Sequence, residues 1–264
     1  KGRADLTGEK QLCLSARLQL IADLVPQGSR LADIGTDHAY LPVWLVQQGR
    51  ISFAAACDVN AGPLERARAT ALRFGCTDAL SFRLGDGLAC VSPDEVDTIV
   101  IAGMGGETIA AILEAAPWTR EQEHRLLLQP MTKAEVLRPW LTAHGYAIRE
   151  EHLVYENHTY FPVLSVVGGA EKRELTPGQC WGGVALEHDA LQGAGRPGVE
   201  DGVAEDGVRR LLGRQVPPLA ADHRGDLELE VEQAAAGRDG YVVTVADQGV
   251  GVGEVERRRV VPLR

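Results

Sequence analysis

Two hydrophobic rhythms alternate along this chain as far as Gly169, and each predicts its own kind of element. Short apolar runs bounded by acids or turns, in LADIG, SFAAACDVN, DTIVIAG and RLLLQP, have the length of buried strands. Between them the apolar positions fall at helical spacing. Lys10 to Val25 carries Leu14, Leu18 and Ile21 on one face, and Leu41 to Gln48, Pro63 to Phe74, Glu107 to Ala116 and Lys133 to His144 also read as helices. Pro63 sits near a first turn, Pro117 stops a helix, and Gly145 supplies a C-cap. Strand and helix in alternation predict an α/β domain around a mostly parallel sheet. The rhythm changes at YAIREEHLVYE and TYFPVLSVVGG, two strand-like runs joined by Asn157-His158. A two-residue polar turn predicts a hairpin, and with it an antiparallel last strand.

Beyond Gln192 the pattern fails. From Gly193 to the end the chain contains no Ser, Ile, Phe, Asn, Lys, Met, Cys or Trp. So narrow an alphabet reads either as a flexible tail or as a high-GC gene translated out of frame. GYVVTVADQGVGVGEVE is its one stretch with the look of strands. The expected organisation is an N-terminal helical segment (1–25), a ligand-binding domain (26–169), a linker (170–192) and an atypical, irregular tail (193–264).

Composition narrows the function. A length of 264 residues suits one large α/β domain with an appendage, and a 45% hydrophobic fraction suits a packed core. No apolar run is long enough to span a membrane, and no secretory signal is legible at Lys1. The five cysteines show no C-x-x-C spacing, which favours buried, reduced thiols over disulfides or zinc. A cytoplasmic location is expected. The net charge of −10 argues against a general nucleic-acid binder. Residues 1–192 alone hold 17 basic and 24 acidic side chains, so any RNA contact must use a local patch.

The chemistry concentrates in LADIGTDHAYLP. A hydrophobic strand ends on Asp33, turns at Gly35 and opens into a helix, as at the ligand end of a nucleotide-binding sheet. A dinucleotide needs G-x-G-x-x-G to bring backbone against its pyrophosphate, and only Gly35 is present. S-adenosylmethionine carries no phosphate, so a one-glycine turn is sufficient for its amino-acid end. Asp58 closes the second strand, with Val59 beside it, where a carboxylate can accept two hydrogen bonds from a ribose. Asp86 and Gly87 occupy a turn after a short third strand, placed to meet an adenine amino group. The fourth strand runs into Gly103, Met104, Gly105 and Gly106. Asp33 reads as an orienter of the loop or as a partner for the cofactor's amino group. Asp37 and His38 face the same edge, His38 as a direct contact or as a hydrogen-bonding staple. Tyr40 either stacks on a base or roofs the site.

DIGTDHAYLP, DVNAGPLERA, GDGL, IAGMGGETI and LLLQP, in this order, resemble the bacterial tRNA (adenine-22-N1)-methyltransferase family over about residues 12 to 190. The resemblance implies a Rossmann-like class I methyltransferase, with a mostly parallel seven-stranded sheet and an antiparallel last strand. It implies S-adenosylmethionine as cofactor and N1 of an adenine in tRNA as acceptor. It also sets Ser15 and Arg17 beside the cofactor edge. The family ends in a helical, coiled-coil-like extension, from which the text after Gln192 departs.

The expected cofactor set is therefore Arg17, Asp33, Gly35, Asp37, His38, Asp58, Val59, Asp86, Gly87 and Gly103. The expected catalytic set is Asp37, Gly103, Met104, Gly105, Gly106 and Gln129, with no metal. Adjacent glycines at a strand end suit close approach by a flat base, and Gln129 could offer it an amide. Arg17, Lys133, Arg138, Arg149, Lys172 and Arg173 are the candidates for a tRNA patch. Methylation of another RNA or a small molecule, and a cofactor-binding adaptor without catalysis, remain the alternatives. The sequence leaves the oligomeric state open.

Overall fold

Strands covered on both faces read as unbroken apolar runs, and that is how the centre of this domain is built. The computed structural model describes residues 12–121, 124–183 and 242–246. In β1 (Ser29–Ile34) every residue but Arg30 is buried, and β2 (Ile51–Asp58) is buried from Ala54 to Cys57. With β3 (Leu80–Leu84), β4 (Thr98–Gly105) and β5 (Arg125–Thr132) they form a parallel sheet. The hairpin of β6 (Ala147–Glu156) and β7 (Thr159–Val167) completes it, β7 inserting antiparallel between β5 and β6. The order is β3-β2-β1-β4-β5-β7-β6-β8, where β8 (Val242–Ala246) pairs antiparallel with β6. The expected mixed α/β sheet is present, and β8 adds an eighth strand to the expected seven. The other residues of the expected irregular tail lie outside the described ones.

Two cores result, one on each face. α1 (Ala16–Leu24), α2 (Tyr40–Gln47) and α3 (Ala61–Arg73) bury Ile21, Leu41, Leu45, Ala67 and Ala71 against Leu31, Ala54 and Val100. On the opposite face α4 (Gly106–Glu114) and α6 (Ala134–Ala143) bury Ile109, Leu113, Leu137 and Leu141 against Ile99, Leu126 and Leu128. The short α5 (Trp118–Glu121) follows α4, and α7 (Pro177–Gly182) packs on α6. One boundary moved. The first helix begins at Ala16 rather than Lys10, because Ser15 takes the N-cap and its hydroxyl accepts from the Leu18 amide at 3.4 Å.

This topology positions the site. The chain builds outward from β1 through β2 to β3, then returns to lay β4 on the other side of β1. Such a reversal opens a crevice at the carboxyl ends of the strands.

Candidate active site

The acids of the first three strands do reach one edge. Asp33, next to last in β1, is almost wholly buried and accepts a 2.6 Å hydrogen bond from the Thr36 hydroxyl. Burial pushes its carboxyl up to about 6, the Thr36 bond working against this and the charge of nearby Asp58 adding to it. Gly35 turns the chain at φ +75°, and a Cβ there would overlap Met104 Cε, so the Met104 side chain lies against bare backbone. Asp58 ends β2 half-buried; its Oδ1 accepts from the Asn60 amide at 2.9 Å and its carbonyl from the Gly85 amide at 3.0 Å. Val59 and Asp86 are exposed beside it, and Gly87 turns at φ +53°. Arg83 pins the Asp86 turn from below, donating to the Cys90 carbonyl at 2.9 Å and pairing with Glu95.

Asp37 sits in left-handed backbone, φ 48°, and pairs with Arg66 of α3 at 2.7 Å. His38 lies 3.7 Å from the other Asp37 oxygen and stacks on Tyr40, rings 5.1 Å apart and 6° from parallel. Tyr40 and Asp37 are exposed. The three make a charged and aromatic rim at the start of α2.

The β4–β5 side is framed differently. Gly103 turns at φ +79°, exposed, with its amide donating to Gln129 Oε1 at 3.1 Å. Arg17 Nη1 donates to the same oxygen at 2.7 Å, and Gln129 Nε2 donates to the Pro130 carbonyl at 2.8 Å. Gln129 has no exposed surface. Its amide is spent inside the protein, so it cannot face a base edge as expected. Arg17 also donates to Met131 Sδ at 3.0 Å and lies over the Phe161 ring, while its backbone amide donates to Glu156 at 2.8 Å. Glu156 thereby caps the positive end of α1.

The two last glycines of the loop serve different ends. At Gly105 a Cβ would meet Thr132 Oγ1 at 3.5 Å, an ordinary contact, and φ is −69°. At Gly106 it would overlap the Lys133 carbonyl, and the residue is buried. Gly106 lets α4 pack on the start of α6, which corrects its place in the catalytic set.

Of the expected patch, Arg138 is withdrawn. It is buried and its guanidinium pairs with Glu151, Nε to Oε1 being 3.0 Å, while Nη1 donates to the Cys180 carbonyl at 2.8 Å. Lys133 is exposed and paired with Glu107 at 2.7 Å; Arg149, Lys172 and Arg173 are exposed. Among the described residues no His, Cys, Asp or Glu cluster could hold a metal, and no helix is long and apolar enough to cross a membrane. Thr36, Arg66, Arg83, Glu156 and Phe161 escaped the sequence reading. Only Thr36, three residues after Asp33, had a local signal; the others act across the chain.

A methyltransferase domain model matches residues 14–164. The tRNA (adenine(22)-N(1))-methyltransferase of Bacillus subtilis (strain 168) is 40% identical over 159 residues, which are 60% of this chain and 67% of that protein. A Streptococcus pneumoniae protein crystallised with S-adenosyl-L-methionine superposes with a TM-score of 0.61 at 38% identity, over 68% of this chain and 84% of that one. M. capricolum TrmK, solved with the cofactor product S-adenosyl-homocysteine, gives 0.59 at 26% identity, over 76% and 98%.

Proposed function

The chain belongs to the family of bacterial tRNA (adenine(22)-N(1))-methyltransferases, and on that premise we propose that it transfers a methyl group from S-adenosylmethionine to N1 of an adenine in tRNA. The supporting observation is that a one-glycine turn, the carboxylates of Asp33, Asp58 and Asp86 and the glycines at the end of β4 all lie at the carboxyl ends of neighbouring strands, beside the sheet's reversal point.

The residues fit the cofactor. Asp33, Asp58 and Asp86 offer acceptors for an ammonium, a ribose and an adenine amino group, and Gly35 keeps the turn between β1 and α2 tight. Arg17 Nε is buried without a partner among the described residues. When bound, S-adenosylmethionine supplies a methyl group on a sulfonium that is already a good leaving group. The protein's task is alignment and exclusion of water. Asp58, flanked by Val59, would accept from the ribose hydroxyls, and Gly87 keeps the Asp86 turn tight. His38 and Asp37 close the rim through Tyr40 and Arg66. Gly103 to Gly105 admit the flat base, with Met104 between them. Gln129 is a positioning residue that holds Arg17 and the Gly103 amide.

Adenine N1 is unprotonated near neutral pH and carries its own lone pair, so no side chain has to remove a proton from it. That edge is used in base pairing, so the target adenine must be unpaired or extruded. With a net charge of −10, tRNA docking falls to a local patch, for which Lys133, Arg149, Lys172 and Arg173 are the exposed candidates, in the cytoplasm. Position 22 follows from the family. The test is transfer from methyl-labelled S-adenosylmethionine to bulk tRNA, followed by nucleoside analysis. Label in 1-methyladenosine supports the reading; label in another nucleoside, or none, overturns it.

A further inference from the structure

The β6–β7 hairpin carries an aromatic group that the cofactor side does not use. Leu128 of β5 opposes Leu164 of β7 in antiparallel register. Tyr160 to Val163 therefore run on past that pair, toward the edge where β5 ends. The turn closes at Asn157 and His158, both left-handed with φ 51° and 62°, as a two-residue hairpin requires. Tyr155 and Tyr160 are cross-strand partners with ring centroids 4.9 Å apart, and His158 meets Tyr155 edge-on at 6.4 Å. Val154 and Phe161, one residue away on each strand, pack into the core beside α1. Alternation along the strands turns the two tyrosines to the opposite face, half-buried at the rim.

The tip is held in place. Glu156 accepts from the Arg17 amide, and the Arg17 guanidinium lies over Phe161 and bonds to Gln129, which in turn holds Gly103. Hairpin and acceptor opening are thus tied by one hydrogen-bonded chain. β4 and β7 are two strand positions apart, about 10 Å at ordinary strand spacing. A base seated at Gly103–Gly105 leaves an adjoining nucleotide within reach of the rings.

We propose, building on the function argued above, that Tyr155, Tyr160 and His158 form a stacking platform for an unpaired base next to the target adenine of the tRNA. Aromatic faces hold bases without regard to identity, since every base has a π-face. Stacking also suits a chain whose acidic balance denies it a broad electrostatic grip on RNA. The rings are preorganised by the turn and by their contacts with one another, so little ordering is needed on contact.

Single-turnover methylation at rising tRNA concentration tests this, using Tyr155→Ala, Tyr160→Ala and the matching Phe variants of the full chain. Each Ala variant should raise the half-saturating tRNA concentration about tenfold, with calorimetric affinity for S-adenosylmethionine unchanged. The Phe variants, which keep the ring, should stay within about twofold of wild type. With 2-aminopurine beside the target adenine, wild type and Phe variants should quench its fluorescence and Ala variants should not. Wild-type tRNA dependence in Ala variants that still bind cofactor overturns the platform, as does failure of the Phe variants to rescue. A wild-type chain that methylates no tRNA adenine overturns the underlying function as well.

Discussion

Along one sheet edge, the side formed by β1, β2 and β3 presents carboxylates, whereas the side formed by β4, β5 and the hairpin presents glycine backbone, a buried amide and aromatic rings. The first side is assembled locally. Asp33 is bonded by Thr36 three residues on, and Asp58 by the Asn60 amide two residues on. The second is assembled at long range, Arg17 reaching Gln129 across 112 residues and Glu156 across 139. On the proposed function, the difference follows from what each would hold. A small, cationic, hydroxyl-bearing cofactor needs acceptors at strand ends, which any βα unit can supply. A flat base needs an open frame, and only distant segments packed together make one.

The sharpest way to break the second side is from beneath. Arg138→Ala strands the buried Glu151 carboxylate and releases the Cys180 carbonyl, and should destabilise the fold by about 3–5 kcal/mol in urea unfolding. Replacing both partners with apolar residues should recover most of that loss, because the cost lies in the unpaired charge.

On the first side, Asp33 trades stability for binding. Its carboxyl titrates near 6 in the fold against 3.8 for the free side chain, so the fold favours the protonated form. That contribution is fully present below about pH 4 and is lost as pH rises through 6, roughly 3 kcal/mol for a two-unit shift. Asp33→Asn should therefore unfold at higher urea than wild type at pH 7.5, by up to about that amount, with the gain gone near pH 4. The same variant should bind S-adenosylmethionine more weakly. A gain that persists at pH 4 would mean the carboxyl charge is not its source.

Asp58→Ala should weaken cofactor binding by about 1.5–3 kcal/mol per charge-assisted hydrogen bond lost, without unfolding the chain. Unchanged affinity by calorimetry would remove Asp58 from the cofactor side.

The adjacent glycines sharpen the contrast further. Gly106→Ala should cost about 1–3 kcal/mol of stability through overlap with the Lys133 carbonyl. At Gly105 an added Cβ meets only ordinary contacts; Gly105→Val should leave melting temperature and cofactor affinity near wild type while lowering the single-turnover methylation rate strongly. Loss of rate and affinity together would assign Gly105 to the cofactor pocket.

The smallest effect belongs to the exposed pair at the rim. Arg66→Ala should change stability by no more than about 1 kcal/mol, because solvent screens the Asp37 contact. Thermal melts at low and high salt should differ little.

How much was legible tracks the same division. Strand ends, helices and the Asn157-His158 turn were readable because burial on both faces, helical spacing and turn chemistry each leave a local imprint. Gly35, Asp58 and Asp86 could be lined up because each lies at or just past the end of its own strand. The start of α1 shifted because one hydroxyl, Ser15, outweighed an apolar period that runs further back. Gln129 and Arg138 were misread for a common reason: a polar or charged letter says nothing about whether its partner is water or a buried residue.

By itself, then, the sequence determined the alternation of strands and helices, the order in which acids and glycines arrive at their ends, and the hairpin. Those features depend on neighbours within a few residues. Only the tertiary structure decided that Gln129 is enclosed, that Arg138 is paired in the core, that Gly106 serves packing, and that Arg17 joins hairpin to opening. Each of these rests on which distant groups meet once water is excluded, and burial makes an unpaired polar group too costly to leave without a partner.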